Sequence, residues 1–241
     1  MKIGILQADS VADQFQPEFG DYPAMFEAVL SHAATQIDDL IEPVEFAHYD
    51  VEHYQYPNSI SDCDGYVITG SKKSVYDDEP WIQQLRQYVV SLHNAKAKLV
   101  GICFGHQMVA LALGGNTEPS SRGWGVGVHT SDIVEKKPYM LPESDSLAAI
   151  VSHKDQVTEL PADAVLLATS EFCPNTMFQI QEHILTFQGH PEFHKPYSRA
   201  LMDWRREILG EDVYSTGVAS LDQEIQGYVL AQWMIRFIAD Q

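Results

Sequence analysis

The stretch Lys98-Leu99-Val100-Gly101-Ile102-Cys103-Phe104-Gly105-His106-Gln107 sets a thiol between two glycines, with an apolar strand-like run before it and a helical pattern after it. The helical pattern continues through Leu113 and stops at Gly114-Gly115, a natural helix end. Strand, sharp turn and helix with G-x-C-x-G at the turn is the pattern in which a nucleophile is held on a strained elbow, the glycines letting neighbouring backbone pass without a Cβ clash. The helix that follows directs its free N–H groups and positive dipole end at the sulfur, which favours thiolate. The backbone N–H of Phe104 is then placed to act as an oxyanion donor.

Outward from this elbow, short apolar runs at Lys2–Gln7, Val44–His48 and Gly65–Thr69 read as further strands, separated by helix-period segments at Pro23–Leu40 and Pro80–Asn94. Alternating strands and helices predict an α/β fold: an open, mainly parallel sheet flanked by helices, flavodoxin-like, with the site at the carboxyl ends of the strands. From Gly125 the pattern becomes short β-like stretches, Gly127–Val134, Val165–Thr169 and Met177–Phe187, which predict a partly antiparallel extension. Helical spacing returns at Tyr197–Leu209 and Leu221–Ala239, with Gly210–Ser220 between them read as a polar loop. No repeat or linker composition divides the chain, so residues 1–241 are expected to form one domain.

Composition narrows the function. With 15 Lys and Arg against 34 Asp and Glu, the formal charge of −19 repels nucleic acid and anionic membrane surfaces, and neither is an expected partner. Cys63, Cys103 and Cys173 are an odd number at wide spacing, which fits no disulfide framework and predicts a reducing compartment. The opening MKIGILQADS reads as a first strand rather than a signal peptide, and no apolar run reaches membrane-spanning length, so a cytoplasmic location is expected.

A thiol nucleophile needs an imidazole to carry its proton and a third group to orient the ring. His190 follows the β-like run Ile184–Phe187, where a strand leaves the sheet, and Glu192 two residues on points to the same side of an extended segment, with Pro191 restricting the backbone between them. His190 and His194 are four apart, but Pro191 argues against a helix carrying both and no third ligand is evident, so no metal is expected. His106, on the helix after the elbow, is expected to pack or meet a polar neighbour rather than act as the base.

Together, Gly101-Ile102-Cys103-Phe104-Gly105-His106-Gln107 and Gln188-Gly189-His190-Pro191-Glu192 resemble the class I, or triad, glutamine amidotransferases. The resemblance runs from about Met1 to Phe193, takes in Val67-Ile68-Thr69-Gly70-Ser71, and is closest to stand-alone members similar to the amidotransferase domain of GMP synthase. It implies that Cys103 attacks a glutamine side-chain carbonyl, His190 carries the proton and Glu192 orients the imidazole. It further implies an oxyanion hole from Gly70, Ser71 and Phe104, and substrate contacts from Gln107, Gly123 and Trp124. Ser152-His153-Lys154-Asp155 resembles a loop of GMP-synthase-like members, although read alone it is an ordinary polar helix start and Trp124 a packed aromatic beside a turn. The chain departs from the family in carrying Gly70-Ser71 where many members have two glycines. Lys72 and Lys73, just beyond, are placed either to meet a substrate carboxylate or to lie in solvent.

The expected reaction is hydrolysis of the γ-glutamyl amide of glutamine through a cysteine thioester, releasing ammonia and glutamate without a cofactor. The chain carries no G-x-x-x-x-G-K-[ST] phosphate loop, so a synthase that consumed the ammonia would be a separate subunit. Two alternatives stand beside this: a γ-glutamyl peptide hydrolase using the same triad, and a catalytically silent binding or regulatory module. The cysteine hydrolases in which histidine directly follows the nucleophile fit less well, because Phe104 follows Cys103.

Overall fold

The computed structural model describes residues 1–38, 40 and 43–240. In chain order the elements are β1 (Lys2–Gln7), α1 (Gln16–Phe19), α2 (Tyr22–Ala34), β2 (Glu45–Asp50), β3 (Gly65–Ile68), α3 (Pro80–Asn94), β4 (Lys98–Ile102) and α4 (Phe104–Ala112). There follow β5 (Asn116–Pro119), β6 (Gly125–Ile133), β7 (Ser146–His153), β8 (Asp155–Glu159), β9 (Ala164–Thr169), β10 (Met177–Ile180) and β11 (Ile184–Phe187). The chain finishes with α5 (Lys195–Trp204), α6 (Arg206–Leu209), α7 (Glu211–Ser220) and α8 (Gly227–Ile238).

Nine strands form one sheet in the order β2-β1-β3-β4-β11-β10-β9-β6-β7, and β5 pairs with β8 in a small ribbon. The pairs from β2 through β11 are parallel, and those from β11 through β7 antiparallel. This is the mainly parallel sheet with an antiparallel extension that the sequence predicts. Side chains alternate across the strands, as period-two geometry requires. Val67, Val100, Ile102, Leu185 and Phe187 join the core under α2 and α8, while Tyr66, Ile68, Leu99 and Ile184 join the core under α3 and α4. Burial on both faces explains why the central strands read as continuous apolar runs. Among the described residues, no helix is long and apolar enough to cross a membrane.

Several boundaries differ from the sequence reading, each for a local reason. The predicted helix to Leu40 ends at Ala34, where Thr35 closes it, and residue 39 within that predicted span lies outside the described residues. Met177–Phe187 is two antiparallel strands, because the backbone turns at Gln181, whose φ is 50°. Gly210–Ser220 is not a loop: Glu211–Ser220 is helix α7. Its polar face is solvated, and Gly217, which reads as a breaker, is a packing position. A Cβ there would sit 2.7 Å from Val126 Cγ2 and 2.8 Å from Met202 Sδ, so its absence lets α7 lie directly on β6. Tyr197–Leu209 divides into α5 and α6 at Arg205, and the last helix begins at Gly227 rather than Leu221. The residues Ser152–Asp155 are a corner between β7 and β8, not a helix start.

The central contact lies between β4, α4 and β3. An added Cβ on Gly101 would meet Gly105 O at 2.6 Å, and one on Gly105 would meet Ile68 O at 2.6 Å, backbone atoms that cannot swing aside. Replacing either glycine by alanine is therefore expected to cost about 1–3 kcal/mol through overpacking. Urea unfolding should show this as a lowered midpoint with unchanged slope. A wild-type midpoint for both variants would contradict the close approach.

Candidate active site

β4 and β11 are neighbouring parallel strands in register, Ile102 opposite Phe187, so the chain leaves both strands at the same level of the sheet. Cys103 leaves β4 and Gln188 leaves β11. The Cys103 N–H donates to Phe187 O at 2.8 Å, and the Cys103 carbonyl accepts from Gln107 N at 3.0 Å to begin α4. Between these two bonds the cysteine is held at φ 50°, ψ −99°, a conformation costing a non-glycine residue about 1–3 kcal/mol. The elbow anticipated from the glycine spacing is present, with its strain on the thiol-bearing residue. Phe104 opens α4, so its N–H has no intrahelical acceptor, while its ring packs against Trp81 at 5.7 Å.

His190 is positioned from the opposite side of the sheet. Its N–H donates to Ile150 O at 2.8 Å, an isolated antiparallel bridge to β7. Its ring and Cys103 converge beside Gly70, and Nδ1 is 2.7 Å from Glu192 Oε1. A carboxylate at Nδ1 makes that nitrogen the donor and turns Nε2 toward the sulfur side. Phe193 stacks on the imidazole at 3.9 Å and 14°, and Tyr22 stacks in turn on Phe193. His190 and Glu192 are both about 95% buried. Burial alone would disfavour the imidazolium, but the Glu192 carboxylate and the Cys103 sulfur outweigh it, and the His190 pKa is raised to about 10. Burial pushes His106 and His153 the other way, to about 3, and both are neutral. His106 Nδ1 bonds the Thr186 hydroxyl at 2.8 Å, the polar neighbour expected for it. His194 caps α5, its Nδ1 accepting from Tyr197 N.

Cys103, His190, Gly70, Ser71, Gln107 and Trp124 wall one cleft. Gly70 is a glycine for a steric reason: a Cβ there would lie 2.9 Å from His190 Cε1 and 3.7 Å from Cys103 Cβ. Ser71 lies beside it with its hydroxyl accepting from Lys73 N. Gln107 spends its amide protons on Asp155 O at 2.8 Å and Gln188 Oε1 at 3.0 Å, so the group it can offer a ligand is its carbonyl oxygen. Gly123 is exposed, and of that loop it is Trp124 that reaches the cleft wall.

Lys72 and Lys73 line the mouth but are engaged: Lys72 Nζ lies 2.7 Å from Asp9 Oδ1, and Lys73 pairs with Glu79. Sequence reasoning passed over Phe193, Tyr22 and Arg205, and gave Asp155 only as the end of the Ser152–Asp155 loop. Asp155 gathers the Ser74 and Tyr76 hydroxyls at 2.5 and 3.0 Å and so ties the loop after β3 to the corner carrying His153. Nothing local to these residues signals the cleft, because each arrives from a different element.

Comparisons with known proteins agree with this geometry. The sequence profile of the family described as glutamine amidotransferase class-I matches residues 21–203. A γ-glutamyl peptidase 3 from Arabidopsis thaliana is 36% identical over 157 residues, an alignment spanning 62% of this chain and 63% of that protein. A putative glutamine amidotransferase-like protein from Schizosaccharomyces pombe is 30% identical over 245 residues, covering 99% of this chain and 98% of its own. In fold, a crystal structure of a glutamine amidotransferase from Thermotoga maritima superposes with a TM-score of 0.76 at 18% identity, covering 98% of this chain and 97% of that one. This chain belongs to the class I glutamine amidotransferase family.

Proposed function

We propose that the chain is a cysteine-dependent hydrolase of γ-glutamyl amides, cleaving glutamine or a γ-glutamyl peptide through a thioester on Cys103. The observation that carries the reading is the convergence of Cys103 with the His190–Glu192 pair, all buried, beside Gly70 at the end of β4 and on an open cleft. Relatives named γ-glutamyl peptidase, 34–37% identical over about three-fifths of this chain, favour the peptide over glutamine as the substrate.

The chemistry follows from the raised His190 pKa. With the imidazole protonated, the sulfur acts as thiolate and attacks the δ-carbonyl carbon of the γ-glutamyl group. Negative charge gathers on the carbonyl oxygen, which the N–H groups of Phe104, Gly70 and Ser71 receive, the first with help from the α4 dipole. Collapse breaks the C–N bond, and the His190 proton moves to the departing nitrogen. Water then attacks the thioester, His190 takes one of its protons, and the thiolate leaves with glutamate as the product. Each turnover restores the starting thiolate and imidazolium. Glu192 holds the ring in the productive tautomer and stabilises its charge.

Wild type and Cys103→Ala should be incubated with glutamine and with a γ-glutamyl dipeptide, with glutamate and ammonia followed separately. Glutamate release that falls by at least ~10³-fold in the variant is expected. Ammonia from glutamine would direct attention to a separate synthase subunit as acceptor. Turnover unaffected by the substitution would remove Cys103 as the nucleophile, and no turnover of either substrate would leave a binding module as the better reading.

The protonation scheme has its own test. Because His190 is raised in the folded state, its contribution to stability is complete below the unfolded histidine value near 6.5 and is lost as pH climbs toward about 10. Nuclear magnetic resonance of the histidine rings should find His190 protonated at pH 8, and His106 and His153 neutral. In Glu192→Gln the His190 titration should move to lower pH, and the alkaline limb of activity with it. A His190 that is neutral at pH 7 in wild type would refute the ion pair.

A further inference from the structure

The cleft holds more positive charge than its own carboxylates use. Four of the chain's 15 Lys and Arg line it, in a molecule with 34 Asp and Glu. Lys72 and Lys73 are paired, but among the described residues neither Arg205 nor Lys154 has a carboxylate within ion-pair distance. Lys154 is exposed on the β7–β8 corner. Arg205 is half-buried at the end of α5, with its guanidinium 5.7 Å from the Trp124 ring centre and 5.8 Å from that of Trp204. One of its N–H groups donates to Ser152 Oγ at 3.2 Å, and among the described residues the rest of the fork has no acceptor. In so acidic a protein an unpaired, partly desolvated guanidinium held between aromatic faces is poised for a carboxylate from outside.

The position of Arg205 identifies which end of a substrate it meets. The departing nitrogen must lie within hydrogen-bond reach of His190, so the leaving group occupies the His190 side of the cleft. That wall runs through stacked rings, His190 to Phe193 to Tyr22; Arg205 lies within charge range of Tyr22 and bonds Ser152, two residues from the Ile150 that holds His190. When the leaving group is ammonia, this stretch of wall has nothing to bind.

Resting on the proposed γ-glutamyl hydrolase activity, we propose that Arg205, backed by Trp124, binds a carboxylate carried by the leaving group. The substrate class is then a γ-glutamyl amino acid or short γ-glutamyl peptide with a free carboxylate, not glutamine. Such a substrate carries a second carboxylate, on the glutamyl α-carbon, and Lys154 is the other cleft-lining cation without an ion pair among the described residues, placed to receive it. Arg205 is a specificity-determining residue and takes no part in bond cleavage.

The test compares γ-glutamylglycine, γ-glutamylglycinamide and glutamine as substrates of the full chain. The first two differ only in the terminal carboxylate. Wild type is expected to favour γ-glutamylglycine over the amide by ~10–100-fold in kcat/KM, mainly through KM, the range of a charge-assisted hydrogen-bonded pair. Arg205→Gln should bring the two within about threefold of each other, and Arg205→Lys should restore part of the gap as a point charge without the fork. Lys154→Gln should raise KM for both alike and keep their ratio. A wild type indifferent to the terminal carboxylate, a preference for glutamine, or a preference that survives in Arg205→Gln would overturn the subsite while leaving the hydrolase reading standing. Absence of Cys103-dependent turnover on all three would overturn both.

Discussion

The site depends on how closely α4 approaches the strands beneath it. Gly101 and Gly105 remove the two Cβ atoms that would hold the helix away from β4 and β3, and the Cys103 N–H to Phe187 O bond fixes the turn to β11. The backbone of Cys103 adopts a conformation it would not choose alone, and the cost is offset because the helix it launches buries every residue from Phe104 to Ala110. The sulfur is thereby presented at the carboxyl end of the sheet and the first turn of α4 at the cleft. A looser helix would release the strain and the presentation together.

The second constraint is electrostatic. A chain with a formal charge of −19 nevertheless stabilises a protonated imidazole in its interior, because the field at His190 comes from Glu192 and Cys103 at contact distance rather than from the distant surface. Low local dielectric strengthens those near contacts, while solvent and salt screen the exposed carboxylates. The same separation of scales lets Arg205 stand unpaired in the cleft. The acidic excess lies on the surface, and the aromatic faces of Trp124 and Trp204 shelter the guanidinium.

Local signals carried much of this arrangement. The parallel half of the sheet was legible because doubly buried strands are unbroken apolar runs, and the elbow because its glycines are forced by backbone contact. The juxtaposition of His190 and Glu192 was legible because an extended backbone places i and i+2 on one side. What local pattern did not carry was whatever depends on a partner distant in sequence. Helix α7 looks like a loop until Gly217 is seen lying on β6. Strand β7, rich in small residues, declares itself only by its pairing with β6. Phe193 reads as an ordinary aromatic until its ring is found on His190, and Arg205 reads as a surface charge at a helix end until Trp124, 81 residues earlier, is found beneath it.

The bridge between His190 and Ile150 bears on when during folding the site comes into being. Cys103 is delivered by a local strand-turn-helix unit, but His190 is held by β7 at the far edge of the nine-stranded sheet, and Ala148 in that strand exchanges hydrogen bonds with Gln226 just before α8. These closures join segments roughly 40 to 80 residues apart, and loop entropy makes such contacts among the slowest to form. A growing or partly folded chain can therefore possess the strand, turn and helix around Cys103 while the bond to Phe187 and the bridge that holds His190 are both still to form. Assembly of the site would arrive as one of the last events of folding, which makes it a reporter of the complete sheet rather than of its parallel half.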